Sequence, residues 1–215
     1  MAGPNRNRRG RVRSGHGACR DFVGLVRSQK DISTMKALTI AEIDRLLASI
    51  SCPRLRCAVT LGFRHGLRVS EITGLKWTDI DLTAKTIVCR RLKNSLRTVQ
   101  PLAESEIAAL SQLDGSGRSD YVFPSQRTRE RGRPGRMSRI TLGRQFKAAC
   151  LLAGLPPDKS HIHVLKHSLG RALVAANVNM AIIKQALGHR SINSTAIYTA
   201  IDDETTGKVV QNALG

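Results

Sequence analysis

Apolar residues first settle into a helical rhythm at Thr39. Thr39-Ile40-Ala41-Glu42 has the form of a capping box, and Ile43, Leu46, Leu47 and Ile50 follow at three- and four-residue spacing. Arg54 to His65 continues as a second helix that Gly66 closes, and Ser70 to Leu75 forms a short third one. The period then changes. Residues 85–90 and 97–100 are short β-prone runs on either side of Lys93-Asn94-Ser95, which reads as a hairpin with a polar turn, and Pro101 ends its second strand. Glu104 to Leu113 returns to helix, Tyr121-Val122-Phe123 reads as a short strand, and residues 127–139 form a loop holding six Arg and one Glu. Helical spacing resumes over Ser138 to Ala153, His163 to Ala176, Met180 to Leu187, Ser194 to Thr199 and Asp203 to Leu214. The pattern predicts one mainly α domain over residues 36–215 with a small antiparallel β-sheet, an α+β fold. Residues 1–35 read as a flexible basic arm.

Composition narrows the class. The 215 residues carry 35 Lys plus Arg against 16 Asp plus Glu, a formal charge of +19. A hydrophobic fraction of 41% supports a packed core, so a body with this excess is expected to sit on a polyanion. Aromatics are only 3%, which disfavours single-strand readers that stack bases on aromatic side chains. No apolar run of membrane-spanning length occurs, and the first 20 residues, with six Arg and no acid, contain no apolar stretch resembling a secretory signal and no amphipathic stripe of a transit peptide. The five cysteines are scattered without a CxxC pair and read as reduced thiols, which points to the cytoplasm.

Four places carry chemistry. Arg68 follows the Gly66 turn at a helix start, with Glu71 three residues on to hold its guanidinium; alone, this pair suits a surface salt bridge equally well. Lys93 sits at the hairpin tip, where an exposed lysine is ordinary. His163, Lys166 and His167 share one helical face; His at i and i+4 also suits zinc, but no intervening glutamate and no third ligand at usual spacing accompany it. Leu187-Gly188-His189 is followed nine residues later by Tyr198, one of only two tyrosines.

In this order, Arg, Lys on a hairpin, His-x-x-basic, Gly-His and Tyr, the chain resembles the tyrosine recombinase (phage integrase) family over about residues 36–205. The strings that carry the resemblance are Arg64-His65-Gly66-Leu67-Arg68-Val69-Ser70-Glu71-Ile72, Asp79-Ile80-Asp81-Leu82, Arg91-Leu92-Lys93-Asn94, His163-Val164-Leu165-Lys166-His167, Leu187-Gly188-His189-Arg190-Ser191 and Ile197-Tyr198-Thr199. Within the family it is most similar to the short recombinases that invert fimbrial promoter segments.

The resemblance implies a tyrosine recombinase catalytic domain that cleaves and rejoins double-stranded DNA through a 3′-phosphotyrosyl intermediate, as a homodimer on each site and a homotetramer at synapsis, in the cytoplasm on the nucleoid. Tyr198 would be the nucleophile, His163 would assist its proton transfer, and Lys93 would protonate the leaving 5′-oxygen. Arg68, Lys166 and His189 would bind the non-bridging oxygens, with Glu71 orienting Arg68. No metal, nucleotide or other cofactor is implied, and no small-molecule substrate. Arg127, Arg129, Arg131, Arg133 and Arg136 would meet phosphates near the cleft, with steeply salt-dependent binding. One departure stands out: the family's His-x-x-Arg is here His163-Val164-Leu165-Lys166, which keeps the charge but loses the planar fork. That change leaves a catalytically weakened, DNA-binding homologue as the competing expectation. The apolar face of the last helix, Val209, Val210, Ala213 and Leu214, suits docking either on a neighbouring subunit or on its own domain.

Overall fold

The computed structural model describes residues 36–91, 97–113, 119–125, 134–191 and 193–196. The described elements are α1 (Ile40–Ser49), α2 (Pro53–Arg64), α3 (Val69–Gly74), β1 (Ile80–Asp81), β2 (Thr86–Cys89), β3 (Thr98–Pro101), α4 (Glu104–Leu113), α5 (Arg139–Leu152), α6 (His163–Ala175), α7 (Met180–Leu187) and α8 (Asn193–Ala196). Single 3-10 turns lie at Trp77–Asp79 and Pro157–Lys159.

Local chemistry explains most boundaries. The capping box at α1 forms as expected: Thr39 Oγ1 accepts from the Glu42 amide, and the Glu42 carboxylate accepts from the Thr39 amide at 2.8 Å. Pro53 occupies the first turn of α2, where its missing N–H costs nothing. Ser138 caps α5 by accepting from the Thr141 amide, and Asn179 caps α7 by accepting from the Ala181 amide. Two turns require glycine. Gly66 has φ +58° and Gly188 has φ +64°, the left-handed region in which a Cβ is strained.

The helices enclose one main core in which Leu46, Leu61, Ile72, Leu110, Phe123, Leu142, Phe146 and Leu165 are essentially inaccessible to water. Helix α2 is its axis, packed against α4 and α6, while α3 packs on α5. A smaller cluster joins α6 to α7: Ile183 and Leu187 are fully buried against Leu169, Leu173, Val174, Val178 and Met180. The sheet has order β1-β2-β3, all antiparallel, with Ile80 opposite Ile87 and Cys89 opposite Thr98. Ile87 and Cys89 point into the core, and the end of β3 reaches α7.

The mainly α domain with a small antiparallel sheet is therefore what the pattern predicted, with two differences. The sheet has a third strand, β1, because a two-residue edge strand is too short to display a period; Asp81 turns the chain away from it by accepting from the Ala84 amide at 2.7 Å. Tyr121-Val122-Phe123 forms single bridges, Lys76 with Tyr121 and Pro124 with Arg136, rather than a strand. Its apolar residues are core plugs instead: Phe123 is wholly buried. The expected arm (1–35), the hairpin tip (92–96) and the expected last helix (203–214) lie outside the described residues.

Candidate active site

Two glycine turns bring the site together. At the end of α2 the chain reverses through Gly66 into Leu67 and Arg68, so Arg68 stands at the entrance of α3. Glu71, one turn into α3, accepts twice from it: Oε2 from the Arg68 amide and Oε1 from the guanidinium, both at 2.9 Å. The carboxylate is almost wholly buried while the Arg68 side chain stays 23% exposed, so one end of the pair is fixed and the other reaches solvent. At the end of α7 the second turn, Gly188, presents His189, whose Nδ1 lies 3.0 Å from Thr195 Oγ1 on α8. The turns touch: a Cβ on Gly66 would meet Leu187 Cδ2 at 3.0 Å and Leu169 Cδ2 at 3.2 Å.

Lys166 lies between them. It is buried on α6, and its Nζ donates to the Leu187 carbonyl at 2.6 Å, one of the carbonyls left over at the end of α7. Burial, then the charges of Arg68 and Arg91, push its ammonium down to about 7, against the pull of Glu71. The same causes act on His189, lowered to about 4 by burial, Lys166, Arg68 and Arg91, so its imidazole is neutral near pH 7. His167 is also lowered, by burial, then His163 and His161. Cations are thus crowded into a poorly hydrated turn with Glu71 as the countercharge, a setting that a phosphate anion would relieve.

Of the residues expected at the site, Arg68, Glu71, Lys166 and His189 converge here. His163 stands exposed at the first position of α6, electrostatically coupled to His167. Arg136 is exposed beside the Pro124 bridge. Lys93, Tyr198, Arg127, Arg129, Arg131 and Arg133 lie outside the described residues; α8 ends two positions before Tyr198. Among the described residues no three His, Cys, Asp or Glu side chains are grouped to hold a metal ion, so the His163/His167 spacing gains no third ligand there.

Sequence reasoning passed over a second layer. His65 is buried with Nδ1 2.8 Å from Gln100 Oε1 and Nε2 3.1 Å from Glu106 Oε1. Gln100 donates its Nε2 to the Ala186 carbonyl at 2.9 Å, which ties the buried imidazole to the end of α7. Arg91 is completely buried beneath the two turns. Both residues sit in the quoted strings, but nothing in their spacing marks either one as buried.

Residues 36–205 match the phage integrase family. The chain belongs to the phage integrase family. The type 1 fimbriae regulatory protein FimE of Escherichia coli K12 is 32% identical over 180 residues, covering 79% of this chain and 87% of the relative. FimB of the same strain is 34% identical over 185 residues, covering 81% and 89%. Among solved structures, the XerA recombinase superposes with a TM-score of 0.65 at 26% identity, over 83% of this chain and 65% of that one. The Tn1549 transposon integrase, solved with circular intermediate DNA, shares the fold at a TM-score of 0.69 and 18% identity, over 82% of this chain and 66% of that one. Membership of the phage integrase family accounts for the helical body and the small sheet. No described helix is long and apolar enough to cross a membrane.

Proposed function

We propose that this chain is a site-specific DNA recombinase that breaks and rejoins strands through a 3′-phosphotyrosyl intermediate, acting in the cytoplasm to invert a DNA segment. The convergence of Arg68, Lys166 and His189 around the Gly66 and Gly188 turns, within a family match over residues 36–205, carries this reading. Among integration, excision and inversion, the likeness to FimE and FimB, named as fimbrial regulators, and the resemblance to the short recombinases that invert fimbrial promoter segments favour inversion.

In this mechanism the Tyr198 oxygen attacks phosphorus and the 5′-oxygen leaves, taking a proton from Lys93, while the tyrosine proton passes to His163 or to water beside it. Arg68 and Lys166 hold the non-bridging oxygens by charge, and neutral His189 donates from Nε2 with Thr195 turning its ring. Rejoining reverses the flow: a 5′-hydroxyl attacks the phosphotyrosine and Tyr198 recovers its proton. A homodimer on each site and a homotetramer at synapsis are what the family resemblance implies for strand exchange between two sites. Arg127, Arg129, Arg131, Arg133 and Arg136 add phosphate contacts that position the duplex.

The test is a suicide DNA substrate whose cleaved end diffuses away. A covalent protein–DNA adduct from the wild type, absent in Tyr198→Phe, supports the reading. Lys166 favours one competing reading, a DNA-binding regulator without chemistry, because its ammonium is only partly charged near pH 7 and engaged on Leu187. No adduct from the wild type together with a clear one from Lys166→Arg would establish that reading instead.

A further inference from the structure

Arg91 lies two residues past the end of β2 and two before Lys93, yet its side chain is 0% exposed. Its Nη1 donates to the Gly66 carbonyl at 2.8 Å and to Glu71 Oε2 at 3.2 Å. Its Nη2 donates to the His65 carbonyl at 2.7 Å and to the Ala186 carbonyl at 2.8 Å. The stem lies across Gly188, where a Cβ would come within 2.7 Å of Nε and 2.9 Å of Cγ. Gln100, on the other strand of the hairpin, grips the same Ala186 carbonyl.

The acceptors are the informative part. Gly66 is two residues before Arg68, Glu71 holds Arg68, and Ala186 is three residues before His189. A filler that only occupied this volume would be apolar, since Arg91 leaves its buried Nε without a hydrogen-bond partner. A planar fork with parallel N–H pairs is instead the group that can bind two separate turns at once.

Resting on the recombinase reading, we propose that Arg91 is a positioning residue for DNA cleavage: it sets Arg68 through Glu71 and Gly66, and His189 through Ala186 and Gly188. Both halves of the phosphate grip are thereby referenced to the base of the hairpin that bears Lys93. Arg91→Lys keeps the charge and loses the fork, so fewer than the four acceptors can be served.

The experiment is single-turnover cleavage of a suicide substrate by the full chain, with ordinary DNA and with DNA carrying sulfur in place of the leaving 5′-oxygen. A thiolate leaves without a proton, so the sulfur substrate rescues Lys93→Ala, which lacks the proposed leaving-group acid. The rate constant for Arg91→Lys at saturating DNA is expected to fall about 10- to 100-fold on both substrates, the range for lost outer-shell partners. DNA affinity should stay near wild type, while the thermal midpoint falls because buried carbonyls at the two turns lose a donor. Wild-type cleavage by Arg91→Lys, or rescue by sulfur, overturns the proposal, as does a loss confined to affinity. If Arg91→Lys does not fold, Gln100→Glu is used: it keeps an acceptor for His65 and removes the donor to Ala186, with an expected loss of about threefold in the same rate constant. Unchanged cleavage there counts against the proposal. If the wild type forms no adduct on either substrate, the recombinase reading fails and the cleavage role of Arg91 with it, and faster amide exchange at residues 66–71 and 186–190 in Arg91→Lys then shows a purely structural tie between the two turns.

Discussion

Lys166 makes one of the site's positive charges depend on pH where an arginine would not. With its ammonium lowered to about 7, the charged fraction falls from about nine-tenths at pH 6 to about one-tenth at pH 8. The guanidinium of a Lys166→Arg variant stays charged throughout. The expected observation is a wild-type to Lys166→Arg ratio of kcat/KM for adduct formation that drops about tenfold from pH 6 to pH 8. The ratio matters because every group other than residue 166 is common to both proteins, and because kcat/KM reports the free enzyme, before a bound phosphate raises the lysine again. His189, at about 4, contributes no step in this window. Superimposed on the pH effect, the arginine variant should be faster at every pH, by up to about a hundredfold where the lysine is neutral. Gel quantification of covalent adduct at limiting DNA suffices. A ratio constant within twofold between pH 6 and 8 would refute the titration of Lys166 as the cause. Stability should move the other way. The folded value lies below the ordinary 10.5, so the unfolded chain binds more protons between about pH 7 and 10.5, and stability rises with pH across that interval. Wild type should therefore gain thermal midpoint relative to Lys166→Met as pH is raised from 7 to 9.

Three other changes test the frame around the site. Gly188→Ala places a methyl 2.7 Å from Arg91 Nε at φ +64°; it should destabilise by about 1–3 kcal/mol in urea unfolding and depress cleavage with it. Thr195→Val removes the hydroxyl 3.0 Å from His189 Nδ1, and adduct formation is expected to slow about tenfold with DNA affinity unchanged in a mobility-shift assay. Burial raises the Glu106 carboxyl, but hydrogen bonds from His65 and the Ala103 amide, with the charges of His65 and Arg64, outweigh it and hold it below 4.5. Its contribution is present above pH 4.5 and lost as pH falls through the folded value; Glu106→Gln should cost about 1–3 kcal/mol near neutrality and flatten that acid limb, as read by denaturation at pH 3–6.

The sequence by itself determined the elements and the order of the chemistry. Period and caps placed α1 to α7, because those signals act within a few residues: Thr39 with Glu42 at the start of α1, and Gly66 after the end of α2. Motif order carried the resemblance to the family that the match over residues 36–205 shows, because the order of Arg68, Lys166 and His189 can be read whatever lies between them. Only the tertiary structure decided what each cation does. Arg91 and Lys93 look alike in the sequence, two basic residues at a hairpin, but β2 carries Arg91 beneath Gly188, where four acceptors from α2, α3 and α7 meet. Lys166 reads as a plain substitution for arginine until α6 and α7 bury it among Arg68, Arg91 and the Leu187 carbonyl. The physical reason is one of range. Helix caps and turns are settled by neighbours along the chain, whereas burial and electrostatic potential sum over groups that only packing brings together, here residues 66 to 189.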